Sequence, residues 1–209
     1  ANGARIIETR TGKVLEEHLL SKEAAKKAIA IGRKYDTLLE VYFDGQGYAQ
    51  KDEIAQVRKY HKNPNMWDYF LRTRIAVDSL EDLLDEKEGN LDKVQMLFAD
   101  MEEREEAWKE LEREGVFELV GSLQYNIEIN AVGVNKGTGL VNLGKMLGIR
   151  REEIMACGDG DNDIAMLKEV GFGVAMANAE EKVKAVADYI TESNNDEGVA
   201  KAIEKFVLK

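Results

Sequence analysis

Cysteine is nearly missing from these 209 residues: Cys157 stands alone, so no intrachain disulfide can form. No apolar run approaches the ~20 residues needed to span a bilayer, and no basic segment followed by an apolar one opens the chain. Proline occurs once, at Pro64, and there is neither an internal repeat nor a low-complexity tract. A concentrated Lys/Arg stripe is also absent. With 29 basic against 40 acidic residues the formal charge is −11, which repels a polyanion and excludes nucleic acid as an expected partner. These absences leave no membrane partner and a cytoplasmic location as the expectation. They do not exclude a small phosphorylated ligand, because a bound divalent cation and one well-placed lysine reverse the local field.

What is present suits a globular protein of one or two domains, with 44% hydrophobic and 33% charged residues. The start, Ala1-Asn2-Gly3-Ala4, passes straight into a strand-like pattern and is expected to be mid-domain sequence. A hairpin turning at Thr11-Gly12-Lys13 is followed by a helix over residues 22–35 capped by Ser21, then a strand over 37–43. Asp44-Gly45-Gln46-Gly47 reads as a turn before a return strand beginning at Tyr48. Residues 53–84 read as helical or irregular, with a break at Asn63-Pro64-Asn65. A strand over 93–98 precedes a helix over 101–114, where Asp100 and Glu103 have capping-box spacing. Strands over 116–120 and 126–130 complete this stretch.

Beyond Lys136 the pattern changes to regular alternation of strand and helix, with strands over 154–157, 173–176 and 189–191. That alternation argues a parallel sheet covered on both faces. The chain therefore divides near Ile129 into an antiparallel α+β module and a doubly wound α/β module.

The apolar strand Ile154-Met155-Ala156-Cys157 runs directly into Gly158-Asp159-Gly160-Asp161-Asn162-Asp163. In open α/β sheets ligands bind beyond the carboxyl ends of strands, so the loop is placed for a site. A bare Asp-Gly-Asp makes turns and helix caps, but three carboxylates within five residues repel one another and call for a cation. Hard oxygen donors in a glycine-bearing loop suit Mg²⁺. Asp159, Asp161 and Asp163 have the opening spacing of a calcium hand, yet Ile164 stands where that loop needs glycine and Val170 where it needs glutamate. Upstream, Val134-Asn135-Lys136-Gly137-Thr138-Gly139-Leu140 sets a lysine at a strand-to-helix corner, from which it can reach phosphate oxygens.

Together these residues resemble the haloacid dehalogenase (HAD) superfamily phosphatases of the Cof-like kind. Their third motif is a lysine in a Lys-Gly context and their fourth a Gly-Asp-x-x-Asn-Asp loop. Gly173-Val174-Ala175-Met176-Ala177-Asn178-Ala179 and Thr191-Glu192-Ser193-Asn194-Asn195-Asp196-Glu197-Gly198 are similar to the closing segments of such proteins. The resemblance implies an HAD-like, Rossmann-like doubly wound α/β core, here only its C-terminal part, plus an α+β cap domain with an antiparallel sheet. It places a core strand and linker at 1–15, the cap at 16–128 and the core at 129–209. It implies Mg²⁺-dependent hydrolysis of small phosphorylated metabolites, sugar phosphates among them, through an aspartyl-phosphate. Lys136 would then be catalytic and phosphate-binding, Asn162 would contact phosphate or substrate, Asp159 would ligate Mg²⁺, and Asp163 would orient the metal shell and Lys136.

The family's first motif, Asp-x-Asp-x-Thr/Val, and its second, with Ser or Thr, have no counterpart here; at Asp44-Gly45 the nucleophile position is Tyr42. Two readings follow: an active phosphatase of which this chain is a truncated part, inactive alone, or a noncatalytic phosphate-binding remnant. The phosphorylation domain of a cation-pumping ATPase has a similar loop but needs membrane helices. Without strands on the nucleophile side, the core sheet is expected to carry an exposed edge prone to self-association.

Overall fold

The computed structural model describes residues 1–208 and resolves into two compact units, Gly3–Gly133 with Ala1, and residues 134–208 with Asn2. None of its helices is long and apolar enough to cross a membrane among the described residues.

The first unit opens with an antiparallel hairpin, β1 (Arg5–Glu8) and β2 (Lys13–Glu17), then α1 (Lys22–Gly32), β3 (Thr37–Phe43) and β4 (Gln46–Gln50). Short helices α2 (Lys51–Ala55), α3 (Val57–Tyr60) and α4 (Trp67–Thr73) lead to β5 (Arg74–Val77) and α5 (Leu80–Glu86). β6 (Lys93–Phe98), α6 (Met101–Glu114), β7 (Glu118–Val120) and β8 (Asn126–Asn130) complete it. Six strands form one sheet in the order β5-β4-β3-β6-β8-β7, antiparallel throughout except for the parallel β4–β5 pair.

Period-two alternation fixes which side chains meet. Leu39 pairs with Met96 and Val41 with Val94, and this face joins Phe43, Phe98, Ile127 and Ile129 in a buried core with Ala25, Ala28 and Ile29 of α1. The opposite face is apolar where Leu38, Leu97 and Ala49 lie against Val57, Tyr60 and Phe70. Elsewhere it is polar: Glu40 is fully buried, bonded by Arg74 and by the Tyr42 hydroxyl at 3.0 Å, while Lys93 pairs with Glu128 at 3.0 Å.

Several expectations change here: α1 stops at Gly32 rather than residue 35, and the strand read over 116–120 begins only at Glu118. The β3–β4 turn is only two residues long, because Asp44 and Gly45 both take positive φ (52° and 78°) and so make a primed turn that matches strand twist; Gln46 and Gly47 already belong to β4. Residues 74–77, read as helical or irregular, form β5. Asp100 does cap α6, accepting from the N–H groups of Glu102 and Glu103, but Glu103 turns its carboxylate to the Asp36 N–H at 2.9 Å instead of closing a capping box.

The second unit alternates as its sequence predicts. α7 (Lys136–Met146) precedes β9 (Met155–Gly158), α8 (Ile164–Glu169), β10 (Phe172–Ala175), α9 (Glu181–Lys184), β11 (Tyr189–Ile190) and α10 (Gly198–Phe206). β9, β10 and β11 form a parallel sheet in the order β11-β10-β9, with Phe172 opposite Met155 and Ala175 opposite Gly158. Phe172 and Tyr189 meet Phe206 of α10 on one face, while Leu167 of α8 and Val183 of α9 pack with Ala175 on the other. Helices therefore cover both faces, as a parallel sheet requires. β9 is an edge strand among the described residues, and shallow hollows flank it, one lined by Leu140, Leu147 and Ile149 and the other by Phe206 and Val207.

Candidate functional site

All three strands of the parallel sheet end on the same side, and the loops leaving them carry Asp159, Asp161, Asn162, Asp163, Asn178 and Asn194. β9 ends at Gly158, where only glycine fits: a Cβ there would lie 2.5 Å from the Cβ of Asp163. The loop then coils back through a single turn of 3₁₀ helix, Asp161–Asp163, and α8 begins.

That tight path makes Asp163 the pivot of the loop. Its Oδ2 accepts hydrogen bonds from the N–H groups of Asp159 (2.9 Å) and Gly160 (3.0 Å), and its Oδ1 accepts from Lys136 Nζ at 2.5 Å. Burial pushes the Asp163 carboxyl upward, but the Lys136 hydrogen bond and the two backbone donors outweigh it, and the group titrates below the usual aspartate range.

Lys136 is the first residue of α7. Asn135 caps that helix: its Oδ1 accepts from Thr138 N–H at 3.0 Å, and Thr138 Oγ1 returns a bond to Asn135 N–H at 3.1 Å. Gly137 lets α7 close on α8, since a Cβ there would stand 2.8 Å from the Ala165 carbonyl oxygen. This packing carries Lys136 to Asp163 across 27 residues of sequence. About a third of the lysine side chain stays exposed (35%), open to an anion.

The other two carboxylates differ from each other. Asp161 is paired with Lys182 at 2.6 Å, and the hydrogen bond that the lysine donates to it is the main cause that raises Lys182 above its ordinary value. Asp159 is exposed and has no cationic partner among the described residues. Its Oδ2 accepts only a neutral donor, Asn178 Nδ2, at 3.0 Å. Asn162 lies half-buried in the 3₁₀ turn, and its side-chain amide has no partner among the described residues.

The structure thus gathers Lys136, Asp159, Asn162 and Asp163 at one end of the sheet. The sequence assigned no site role to Lys182, nor to Asn178 and Asn194, though both lie in segments similar to the family's closing ones; the Asn194 N–H donates to Asn178 Oδ1 at 2.9 Å. Their signal was topological: Asn178 lies just past β10 and Asn194 just past β11, at the carboxyl ends where parallel sheets build sites.

No group of three or more His, Cys, Asp or Glu side chains able to hold a metal exists among the described residues. Zinc-type cages are thereby a poor match. Mg²⁺ is a better one, because it is held by one or two carboxylates and completes its octahedron with waters and substrate oxygens. The exposed, uncompensated Asp159 fits that demand.

The profile of the haloacid dehalogenase-like hydrolase family matches residues 1–203. Among curated proteins, the chain is 50% identical over 105 residues to a 5-amino-6-(5-phospho-D-ribitylamino)uracil phosphatase of Bacillus subtilis, covering 50% of this chain and 42% of that one. It is 41% identical over 81 residues to a phosphoglycolate phosphatase of Methanosarcina acetivorans, covering 39% and 36% of the two chains. The matched stretch thus spans less than half the length of either relative. A solved haloacid dehalogenase-like hydrolase from Bacillus subtilis superposes with a TM-score of 0.84 at 26% identity, over 99% of this chain and 77% of that one.

Proposed function

The chain belongs to the haloacid dehalogenase-like hydrolases, and from that premise we propose that it supplies the lysine and acidic-loop half of a Mg²⁺-dependent phosphatase site for small phosphorylated metabolites. One observation carries this reading: of three carboxylates in one loop, two are neutralised by lysines and the third, Asp159, is not. A charge left uncompensated beside an ordered, lysine-bearing corner is what a divalent cation and a phosphate require together.

In this reading Lys136 binds the phosphoryl oxygens through its exposed ammonium and neutralises charge that builds on the group as it transfers. Asp163 stays ionised and holds Lys136 and the loop backbone in place. Asn162 offers its free amide to phosphate or substrate. Asp159 ligates Mg²⁺, which when bound supplies positive charge to the phosphoryl oxygens. The attacking aspartate comes from an Asp-x-Asp-x-Thr/Val segment that residues 1–209 do not contain. It bonds to phosphorus as the ester oxygen leaves, and water then hydrolyses the aspartyl-phosphate. Residues 129–209 serve as the second half of the core and residues 16–128 as its cap.

The names of the relatives suggest two substrates to try, phosphorylated ribityl compounds and phosphoglycolate, and the family resemblance adds simple sugar phosphates. The test compares residues 1–209 alone with the same residues extended at the amino end by a segment carrying that motif. The extended form should release phosphate with Mg²⁺, stop with EDTA, and lose on the order of 10²–10³-fold in kcat with Lys136→Ala. The 209 residues alone should release none. EDTA-sensitive turnover by the 209 residues alone contradicts the missing-nucleophile step, and an inert extended form favours a noncatalytic phosphate-binding role.

A further inference from the structure

The three carboxylates of the 158–163 loop are restrained in three different ways. Asp163 takes a lysine and two backbone donors, Asp161 takes a lysine, and Asp159 takes the amide of Asn178 alone. The difference is chemical as well as positional. A lysine at Asp159 would hold the carboxylate still and cancel its charge, whereas an amide holds it still and leaves the charge intact for a cation. Asn178 is itself aimed by the next loop, because its Oδ1 accepts the Asn194 N–H at 2.9 Å while its Nδ2 donates to Asp159 Oδ2 at 3.0 Å. One side chain therefore ties together the loops that leave β9, β10 and β11.

We propose that Asn178 is a positioning residue for the divalent cation, orienting Asp159 by a neutral hydrogen bond that is in turn fixed by the Asn194 N–H. The inference rests on the reading of Asp159 as the Mg²⁺ ligand and extends it outward by two residues. Partners of this outer kind fix ligand orientation, and their loss typically weakens metal affinity ~10–100-fold. With its Oδ2 held by Asn178, Asp159 would keep its other carboxylate oxygen free for a cation. Without that bond the exposed Asp159 side chain samples several rotamers, only some of which serve a metal.

The chain offers a way to break the relay without touching either carboxylate. Asn194 is the first residue of a 3₁₀ turn, and Ser193 before it already has the extended backbone that proline demands of its predecessor (φ −70°, ψ 165°). Asn194→Pro deletes the one N–H that aims Asn178 and should leave the local fold in place.

The experiment is a Mg²⁺ titration of the ¹⁵N-labelled 209-residue chain, following the amide signals of Gly158, Asp159 and Gly160. Asp159→Asn should abolish the saturable response. Asn178→Ala should raise the apparent Kd about tenfold, and Asn194→Pro should raise it in the same direction by less. Melting temperatures of the last two variants should stay close to the parent, as expected of exposed positions, which separates orientation of the ligand from general loosening of the loops. Parental Kd values for Asn178→Ala and Asn194→Pro, with Asp159→Asn still inactive in binding, overturn the positioning role and leave the reading of Asp159 standing. A parent chain with no saturable response overturns both.

Discussion

Each unit of this molecule buries a carboxylate beside a basic side chain, Glu40 in the first and Asp163 in the second, and these two acidities move in opposite directions. Glu40, on the polar face of the six-stranded sheet, is fully buried; Arg74 and the Tyr42 hydroxyl both bond its Oε1, and its Oε2 has no partner among the described residues. Burial there outweighs the Arg74 guanidinium, and the carboxyl is pushed up. Asp163 is nearly as buried, yet both of its oxygens are occupied by donors and it is pulled down. A cation is present in both cases, so the cation alone does not decide the direction; donors on both oxygens help to pull Asp163 down, although burial still pushes up Glu53, whose oxygens accept from Arg33 and from the Leu39 N–H. The saturated carboxylate sits in the loop where a fixed negative charge is useful. The half-satisfied one sits in the sheet, where its charge costs stability.

The largest effect that separates the two should come from removing each cation. Arg74→Ala leaves Glu40 buried and without its ion pair, which costs about 3–5 kcal/mol at neutral pH. Lys136→Ala should cost about 1 kcal/mol or less, because Asp163 keeps two backbone donors and the lysine is partly exposed. Urea unfolding read by tryptophan suits the first variant, since Trp67 and Trp108 both belong to the first unit. Cys157 thiol reactivity suits the second, as that half-buried thiol lies on β9. Equal losses would refute the idea that donor saturation contributes to the difference.

A smaller effect should follow from Gly158→Ala. The added Cβ would press on Asp163 from 2.5 Å and push it off the Asp159 and Gly160 N–H groups. Overpacking of this kind costs about 1–3 kcal/mol, and faster Cys157 labelling would report it. Parental labelling would mean that the loop has slack the geometry does not show.

The smallest effect concerns pH, and its sign differs between the units. Because the folded Glu40 carboxyl lies above its unfolded value, its contribution is fully present below about pH 4.3 and is lost as pH rises through the raised folded value. The folded Asp163 carboxyl lies below its unfolded value, so its contribution is present above about pH 3.9 and is lost as pH falls through the depressed one. Glu40→Gln should flatten the tryptophan-monitored profile on the upper side, and Asp163→Asn the thiol-monitored profile on the acid side. Profiles that respond in the same direction would break the comparison.

The sequence made much of this legible where local rules and tertiary packing agree. Residues 37–43, 93–98 and 126–130 are strands from end to end as read, because β-formers there alternate without a competing turn. The helix Met101–Glu114 begins at its Asp100 cap and ends where Gly115 takes a positive φ of 64°. β5 was hidden because four residues following a helix, paired in parallel at the sheet edge, carry almost no periodic signal. In the site, Lys136 and the 158–163 loop were readable as local motifs. The roles of Asn178, Lys182 and Asn194 were not, because Asn178 and Lys182 reach the loop from 19 and 21 residues away, and Asn194 reaches Asn178 from 16, through the convergence of parallel strands, which leaves no fixed spacing in the chain.

The proposed metal site depends most on Asp159 being the one loop carboxylate kept free of a cation so that it can hold a divalent metal. Substoichiometric Mn²⁺, which broadens nearby amide signals, addresses that directly. Broadening should centre on residues 158–163, disappear in Asp159→Asn, and persist in Asp161→Asn, whose carboxylate is already neutralised by Lys182. Broadening spread over other acidic surfaces such as Glu102, Glu105 and Glu106 of α6, or a focus at 158–163 that survives Asp159→Asn, would contradict it.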